Sequence, residues 1–331
     1  MTREKIIASL IKWSAFFNEE DPGVRELAEE AYQYNKWFTT DNIFLSIRNI
    51  RENFLDEKKL QAWLNDYAVP KDFQPKTIGI IMAGNIPLVG FHDLLCTIAA
   101  GHRALIKISS KDNVLLPWFL NKLYEVDESY KQQYVVSDML KGMDAAIATG
   151  SNNSSRYFEY YFSRYPHIIR KNRGSVAVLT GNESASELER LGFDIFSYFG
   201  LGCRNVSKLF VPEGYVFNHF FESLEPYRYV MDHNKYKNNY DYNLALHILN
   251  NNFYMTNGSI LLIEDGSIFS PISQLNYEYY ASKNELLASL YNNQDIQGIV
   301  GKNHIPFGQA QSPGLFDYAD KVDTMKFLQS L

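Results

Sequence analysis

The sequence has 331 residues, of which 46% are hydrophobic and 21% are charged, and its net charge is −6. This composition is typical of a globular protein with one large or two packed domains, and it offers no basic surface for nucleic acid, so we expect no nucleic-acid partner. Its two cysteines are too few for a disulfide framework, which favours free thiols and a cytoplasmic location.

The apolar tracts differ from export signals and membrane spans. Lys12 interrupts the first tract, where a signal peptide would need its apolar core. Pro87, Asp93 and Arg103 interrupt the longest tract, which runs from 77 to 108. We therefore expect no cleaved leader and no membrane span, and we interpret the long tract as buried core.

The first seventy residues place apolar side chains at helical spacing, as in Ile6, Leu10 and Ile11. Asp41 is a suitable N-cap for a helix over "NIFLSIRNIRENF". The sequence therefore predicts a helical segment before the rest of the fold.

From residue 77 onward, short β-branched runs closed by glycine or serine alternate with helical patterns. The runs are "TIGIIMAG", "RALIKIS", "AAIATG" and "GSVAVLTG", and after residue 203 "SKLFVPEGY", "GSILLIEDG" and "QGIVGKN". This alternation predicts buried parallel strands with helical crossovers, which is a doubly wound α/β fold. The pattern restarts after Cys203, so we place a domain boundary near residue 200.

Several predicted strands end in small or polar residues. These residues are Gly84 and Asn85, then Lys107, Ser109 and Ser110, then Thr149, Gly150 and Ser151. The carboxyl ends of parallel strands face the ligand crevice, and a helix amino terminus attracts anions. Each group also has a structural interpretation: a strand-to-helix turn at Asn85, a solvated loop after Lys107, and an N-cap at Ser151.

Cys203 lies in "FGLGCRN", between glycines and Arg204. A neighbouring cation lowers the pKa of a thiol and glycines allow a substrate to approach, so Cys203 is a candidate nucleophile. Free cysteines are also among the most buried residues, and we assign Cys96 of "DLLCTIAAG" to the core. His92 and His102 are interpreted as hydrogen-bonded structural residues. The sequence has no metal-ligand spacing and no G-x-S-x-G elbow.

The order of these motifs resembles the aldehyde dehydrogenase superfamily over roughly residues 75 to 320. "AGNIPLVGFHDLLCTIAAGHRALIKISS" is similar to its W-N-F-P-L and A-A-G-N-x-x-x-x-K-P-S-E block, "ATGS" to its F-T-G-S turn, "GLGCRN" to its cysteine segment, and "PFGQAQSPG" to its P-F-G-G-x-K-x-S-G tail. Within that superfamily, "RKNRGSVAVLTG" and "GQAQSPGLFDYADKVDT" resemble the acyl-CoA reductases that supply fatty aldehyde to bacterial luciferase.

The resemblance implies two Rossmann-like α/β domains with a cleft between them and a helical N-terminal segment. Residues 1–200, rejoined by the tail 310–331, would bind the nicotinamide cofactor, and residues 201–309 would carry the catalytic cysteine. The implied activity is reduction of an acyl-CoA to an aldehyde through an acyl-cysteine intermediate. Cys203 is then the nucleophile, and the Asn85 side chain and the Cys203 backbone N–H stabilise the oxyanion.

The resemblance also assigns cofactor contacts to Lys107, Ser109, Ser110, Thr149, Gly150, Ser151 and Phe269. Ser110 replaces the acid of K-P-S-E, which favours NADPH and leaves NADH open. Ser267 replaces the glutamate of E-I-F-G-P. Arg170 falls at the position of the glutamate that activates water in hydrolytic relatives, so no base for hydrolysis is expected there. Arg170 or Arg173 could contact CoA phosphates, or form a surface salt bridge.

Two alternatives stay open at this stage. The substrate could be an acyl phosphate, or the chain could be a non-catalytic acyl-transfer or scaffold subunit that works with a partner acyl-activating or acyl-transfer protein. The resemblance implies a homo-oligomer. It does not fix the acyl chain length.

Overall fold

The computed structural model describes residues 3–68 and 73–331. The chain divides into two compact units, the first formed by Met1–Asn172 with Pro313–Leu331 and the second by Arg173–Ser312. The chain therefore leaves the first unit once and returns to it once.

The helices of the first unit follow the predicted helical segment and then alternate with strands. They are α1 (Arg3–Ser14), α2 (Pro22–Tyr34), α3 (Thr40–Asn49, continued by a π-helical turn at Ile50–Phe54), α4 (Glu57–Asn65), α5 (Phe91–Ala99), α6 (Leu115–Val126) and α7 (Asn152–Phe162), with a 3₁₀ helix at Glu128–Gln132. Helix α3 begins at Thr40, two residues earlier than an N-cap at Asp41 would place it, because Thr39 is the N-cap and its hydroxyl accepts the N–H of Asn42. The predicted N-cap at Asp41 is therefore wrong, and Asp41 lies in the first turn, where its charge favours the helix dipole.

The first unit contains one parallel sheet. Its strands are β1 (Thr77–Ile81), β2 (Arg103–Lys107), β3 (Tyr134–Val136), β4 (Ala145–Thr149) and β5 (His167–Arg170), in the order β3-β2-β1-β4-β5. Thr77 pairs with Arg103 and Ile81 with Lys107, so the carboxyl ends of β1 and β2 lie side by side. The centre of β1 and nearly all of β4 are buried, as expected for strands that are covered on both faces.

The second unit contains a mixed sheet and its own helices. Its strands are β6 (Gly174–Val178), β7 (Val206–Pro212), β8 (Met255–Thr256), β9 (Leu261–Glu264), β10 (Gln274–Tyr280) and β11 (Ile296–Gly301), in the order β11-β6-β7-β10-β9-β8. Its helices are α8 (Ala185–Phe196), α9 (Asn218–Ser223), α10 (Asn234–Leu249) and α11 (Lys283–Asn292), with 3₁₀ turns at Ser197–Gly200 and Glu225–Asp232. Only the short β8 runs antiparallel, against β9.

The division of the chain differs from the predicted boundary near residue 200. Strand β6 belongs to the second unit because it pairs with β7 on one side and β11 on the other. Those hydrogen bonds hold "GSVAVLTG" in the same sheet as the strand that follows Cys203, so the division lies after Asn172. Which unit performs which part of the chemistry stays a prediction.

The tail 313–331 completes the first unit with a 3₁₀ turn at Ala319–Lys321 and helix α12 (Thr324–Gln329). The hydroxyl of Tyr318 accepts the indole N–H of Trp63 at 2.8 Å and lies 2.6 Å from the hydroxyl of Tyr67. Met325 and Leu328 are buried in the same apolar core as Trp63. The tail is therefore an integral part of this core.

Candidate active site

In the first unit, the segments that follow β1 and β2 are in direct contact. A Cβ added at Gly84 would lie 2.6 Å from the hydroxyl oxygen of Ser109, so no side chain larger than hydrogen fits there. The N–H of Met82 also donates to the carbonyl of Lys107 at 3.0 Å, which continues the strand pairing beyond β1. Gly84 and Ser109 are thus brought together, and Asn85 follows Gly84 at the same edge of the sheet.

The segment that carries Asn85 is held from two sides. Leu88 has a φ of +55°, a left-handed conformation that is unfavourable for leucine, and its N–H donates to the Asp112 carboxylate at 2.8 Å. The hydroxyl of Ser46 donates to the carbonyl of Pro87 at 2.8 Å. Asp112 is buried, and this burial raises its pKa to about 7 against the opposing effect of the Leu88 N–H. Asp112 is a residue that the sequence did not indicate.

The remaining predicted residues of the first unit lie at the ends of adjacent strands. Lys107 ends β2 and Thr149 ends β4, with β1 between them. Lys107 and Ser110 are exposed, while Thr149 and Gly150 are half-buried. Ser151 is the N-cap of α7 and accepts the N–H of Ser154 at 3.2 Å, so its structural interpretation holds.

This edge suits a dinucleotide. Lys107 offers an exposed cation, and residues 107–110 include no acid that would repel a phosphate. The donor set is therefore compatible with NAD or NADP, and the missing acid removes the usual partner of a ribose hydroxyl.

In the second unit, Cys203 is half-buried and lies at the amino end of β7. It belongs to the segment 197–205, here called the Cys203 segment. Tyr198, Phe199 and Gly200 are consecutive left-handed residues with φ of 52°, 56° and 76°. For the two aromatic residues this conformation costs about 1–2 kcal/mol each, so the surrounding contacts must hold the segment in place.

The Cys203 segment is anchored at both ends by hydrogen bonds. The hydroxyl of Ser175 on β6 donates to the carbonyl of Cys203 at 3.2 Å. The side chain of Asn205, which is 2% exposed, accepts the N–H of Gly202 at 2.8 Å and donates to the carbonyl of Ser197 at 2.7 Å. The sequence reasoning missed Asn205, because nothing in "GCRNVSK" shows which carbonyls lie near it.

A buried carboxylate connects α8 to the "PFGQAQSPG" motif. Asp194 is fully buried and accepts the N–H of Gly308 at 2.7 Å and the N–H of Ala310 at 2.9 Å. Burial raises its pKa to about 6, although the two N–H donors oppose this shift. The backbone carbonyl of the same residue accepts from the Asn205 amide at 3.1 Å, so the last turn of α8 contacts both the motif and the Cys203 segment.

Phe269 is exposed on the turn that precedes β10. The Asn276 amide donates to the carbonyls of Ser267 and Phe269, both at 3.1 Å, and fixes this turn. Ser207, at the start of β7, donates to the carbonyl of Ile268 at 2.7 Å. The turn with Phe269 and the Cys203 segment therefore both lie at the amino ends of the parallel strands of this sheet, whereas Lys107 and Thr149 of the first unit end their strands.

Arg170 is not available for a ligand. It is 3% exposed, and its guanidinium donates to Asp93 through Nε at 2.9 Å and through Nη2 at 2.6 Å. Nη1 and Nη2 also donate to the carbonyl of Ala319 and the hydroxyl of Thr324 at 2.6 and 2.8 Å. Arg170 thus forms a buried ion pair, so neither the CoA-phosphate role nor the surface salt bridge considered for it fits.

Other candidates are structural. Cys96 is fully buried, and burial raises its thiol pKa well above the usual range. The ring of His102 accepts the N–H of Lys76 at 3.0 Å and lies 2.9 Å from the carbonyl of Leu328, and burial lowers its pKa.

Over residues 3–68 and 73–331, no cluster of three or more histidines, cysteines or acids is arranged for a metal ion. No helix in the same ranges combines the length and hydropathy needed to cross a bilayer.

Comparison with known proteins identifies one matching family. The family model described as acyl-CoA reductase (LuxC) matches residues 22–224. Aldehyde dehydrogenase 21 from Physcomitrella patens, solved with succinate, is 13% identical, with a TM-score of 0.66 over 92% of this chain and 74% of that one. The comparison with curated proteins gave no match.

Two structures of NAD⁺ complexes show the same fold. The aldehyde dehydrogenase from Bacillus cereus is 13% identical, with a TM-score of 0.63 over 89% of this chain and 70% of that one. The enzyme from Mycobacterium tuberculosis is 12% identical, with a TM-score of 0.64 over 87% and 70%. These likenesses confirm the predicted aldehyde dehydrogenase-like α/β fold.

Proposed function

Because the chain belongs to the acyl-CoA reductase (LuxC) family and is therefore an oxidoreductase, we propose that it reduces an acyl-CoA to an aldehyde through an acyl-cysteine on Cys203. The observation that carries this proposal is the Cys203 segment. It presents a half-buried cysteine on a strained backbone that buried hydrogen bonds hold in place. Strained, over-determined backbone of this kind is concentrated at functional sites.

The first step requires only the chain and its substrate. The Cys203 thiolate attacks the thioester carbonyl, a new C–S bond forms to Cys203, and the C–S bond to CoA breaks, so that CoA leaves as a thiolate. The attack turns the carbonyl oxygen into an oxyanion. We assign the Cys203 backbone N–H and the Asn85 side-chain amide as the hydrogen-bond donors that stabilise it. Losing one such donor costs about a hundred- to thousandfold in rate.

Asn85 belongs to the first unit and Cys203 to the second, so this pairing is part of the proposal. The hydrogen bonds from Leu88 to Asp112 and from Ser46 to Pro87 favour a fixed conformation for the Asn85 segment. Donors that are fixed before the reaction need no reorganisation in the transition state.

We assign the carboxyl edge of the first sheet to the nicotinamide cofactor, through Lys107, Ser109, Ser110, Thr149, Gly150 and Ser151, together with Phe269 of the second unit. The cofactor, when bound, supplies the hydride that converts the acyl group to an aldehyde. The exposed Lys107 next to a run without acids favours NADPH. We also propose that the active protein is a homo-oligomer.

The residue at the position of the hydrolytic glutamate supports reduction over hydrolysis. Arg170 is charged, buried and paired with Asp93, so it cannot take a proton from water. An acyl-cysteine without a water-activating base persists long enough to be reduced.

Mass spectrometry of the protein after mixing with acyl-CoA thioesters, in the absence of cofactor, tests the nucleophile. We expect an acyl adduct in the wild type and in Cys96→Ala, and none in Cys203→Ala. Cys96→Ala is the matched control because this buried thiol lies in the core.

The same experiment separates the alternatives. An adduct from acyl phosphate and none from acyl-CoA would replace the proposed substrate. No adduct from either would contradict covalent catalysis and favour the non-catalytic acyl-transfer or scaffold role. With an adduct in hand, the oxidation rates of NADPH and NADH identify the preferred cofactor.

A further inference from the structure

We propose that Asn205 is the positioning residue that holds the Cys203 segment in its reactive conformation. This inference rests on the proposed function, in which Cys203 is the nucleophile. It concerns a residue two positions beyond the cysteine that contacts neither substrate nor cofactor in the proposal.

The Asn205 side chain forms hydrogen bonds on both sides of the left-handed residues 198–200. Its amide nitrogen lies 3.1, 3.3 and 2.7 Å from the carbonyls of Asp194, Ile195 and Ser197, which are at and beyond the last turn of α8. These carbonyls are at a helix end, where no further backbone N–H of the helix can reach them. The two N–H groups of the Asn205 amide therefore supply hydrogen bonds to this group of carbonyls.

The oxygen of the same amide contacts Gly202, the residue before the cysteine. Its Oδ1 accepts the N–H of Gly202 at 2.8 Å, and the backbone N–H of Asn205 donates to the carbonyl of Gly202 at 3.0 Å. The two bonds fix the residue immediately before Cys203. One side chain thus connects the end of α8 to the cysteine and spans the left-handed residues Tyr198, Phe199 and Gly200.

Only an amide of this length provides both functions. Aspartate has the same shape, but its carboxylate would place a negative charge against carbonyl oxygens, whereas alanine removes the donor and the acceptor together. Because Asn205 is 2% exposed, water cannot replace the lost bonds without opening the segment. The backbone N–H of Cys203, our assigned oxyanion donor, would lose its fixed direction.

The experiment compares Asn205→Ala and Asn205→Asp with Asn243→Ala. Asn243 is a buried asparagine of the same unit whose amide donates to the carbonyl of Ile272 at 2.9 Å, a bond that involves no residue of the Cys203 segment. For each variant, we measure the rate of acyl-adduct formation from acyl-CoA and the rate of Cys203 alkylation by iodoacetamide from pH 5 to 9. Urea unfolding gives the folded fraction, and all rates are compared where every variant is folded.

We expect both Asn205 variants to lose at least tenfold in the acylation rate and to shift the pH midpoint of alkylation. Asn243→Ala should match the wild type in both readouts even if it loses comparable stability. For Asn205→Asp, the alkylation rate relative to wild type should recover as the pH falls, because a protonated carboxyl can again donate to a carbonyl.

Wild-type acylation rates and pH midpoints in both Asn205 variants would overturn the inference. If Asn205→Ala proves insoluble, the isosteric Asn205→Asp decides alone. Failure of the proposed function is recognised separately, because then the wild type itself forms no acyl adduct, while its alkylation rate still reports whether Asn205 controls the thiol.

Discussion

Replacing Arg170 with methionine tests whether this arginine stabilises the first unit or binds CoA. Arg170 makes two bonds to Asp93, and further bonds to Ala319 and Thr324, while only 4% of its side chain is exposed. Removing one partner of a buried ion pair leaves the other charge uncompensated, which costs about 3–5 kcal/mol. We expect Arg170→Met to lose about that amount in free energy of unfolding.

The pH dependence of this loss gives a second check. Burial alone would raise the pKa of Asp93, but the charge and hydrogen bonds of Arg170 outweigh burial and hold the pKa below its usual value. Without Arg170, burial should outweigh the smaller lowering effects of His92 and Thr324, and the pKa of Asp93 should rise above that of the unfolded chain. The deficit of Arg170→Met should therefore be largest at pH 8 and shrink as the pH falls toward 4, since protonation neutralises the buried carboxyl.

Urea unfolding of Arg170→Met, Asp93→Asn and the double variant measures this coupling directly. The double variant should be more stable than Arg170→Met, because it buries no unpaired charge. A loss below about 1 kcal/mol in Arg170→Met, combined with a raised KM for acyl-CoA, would refute the reasoning and restore the ligand role.

Three further predictions concern stability. Burial raises the pKa of Asp112 to about 7. The protonated carboxyl therefore contributes to the free energy of unfolding at low pH, and this contribution is lost as the pH rises through 7. Asp112→Asn keeps an acceptor for the Leu88 N–H but does not ionise. In urea unfolding, its free energy of unfolding relative to the wild type should therefore increase by about 3 kcal/mol from pH 5 to pH 8, and a difference that is independent of pH would contradict this. Ser184→Ala breaks the capping box of α8 and should lower the free energy of unfolding by about 1 kcal/mol in the same assay. An unchanged free energy of unfolding would contradict this. Gly192→Ala would place a Cβ 2.3 Å from the ring of Tyr227, so it should lower the melting temperature despite the better helix propensity of alanine, and a higher melting temperature would show that the ring moves freely.

The sequence predicted the features that local pattern controls. The β-branched runs of β1, β4 and β6 are almost fully buried, and that burial produces the continuous apolar signal from which they were predicted. Strand β3 ("YVV") escaped prediction because it has only three residues, two of them exposed, and strand β10 ("QLNYEYY") because polar and aromatic residues obscure its periodicity. The edge strand β11 was predicted and is buried along its whole length, whereas the interior strand β10 was not, so the burial of a strand matters more for its recognition than its position in the sheet.

The supporting groups of the candidate site were beyond sequence reasoning because their partners are distant along the chain. Arg170 meets Asp93 across 77 positions, and Asp194 meets Ala310 across 116. Asn205 contacts residues within about ten positions, yet the left-handed backbone that brings them together has no distinctive sequence signature at Tyr198 and Phe199. Chemistry-bearing residues can be proposed from motifs, whereas the residues that orient them become visible only in three dimensions.

The return of the chain to the first unit has a consequence for the order of events during synthesis. The ribosome completes the whole second unit, Arg173–Ser312, between the last strand of the first unit and its tail. At typical elongation rates this interval lasts on the order of ten seconds. Throughout it, the indole of Trp63 lacks the hydroxyl of Tyr318, and Arg170 and Asp93 lack Thr324. The second unit is continuous in sequence and can fold as soon as it is complete, whereas the core of the first unit stays incomplete until the tail emerges.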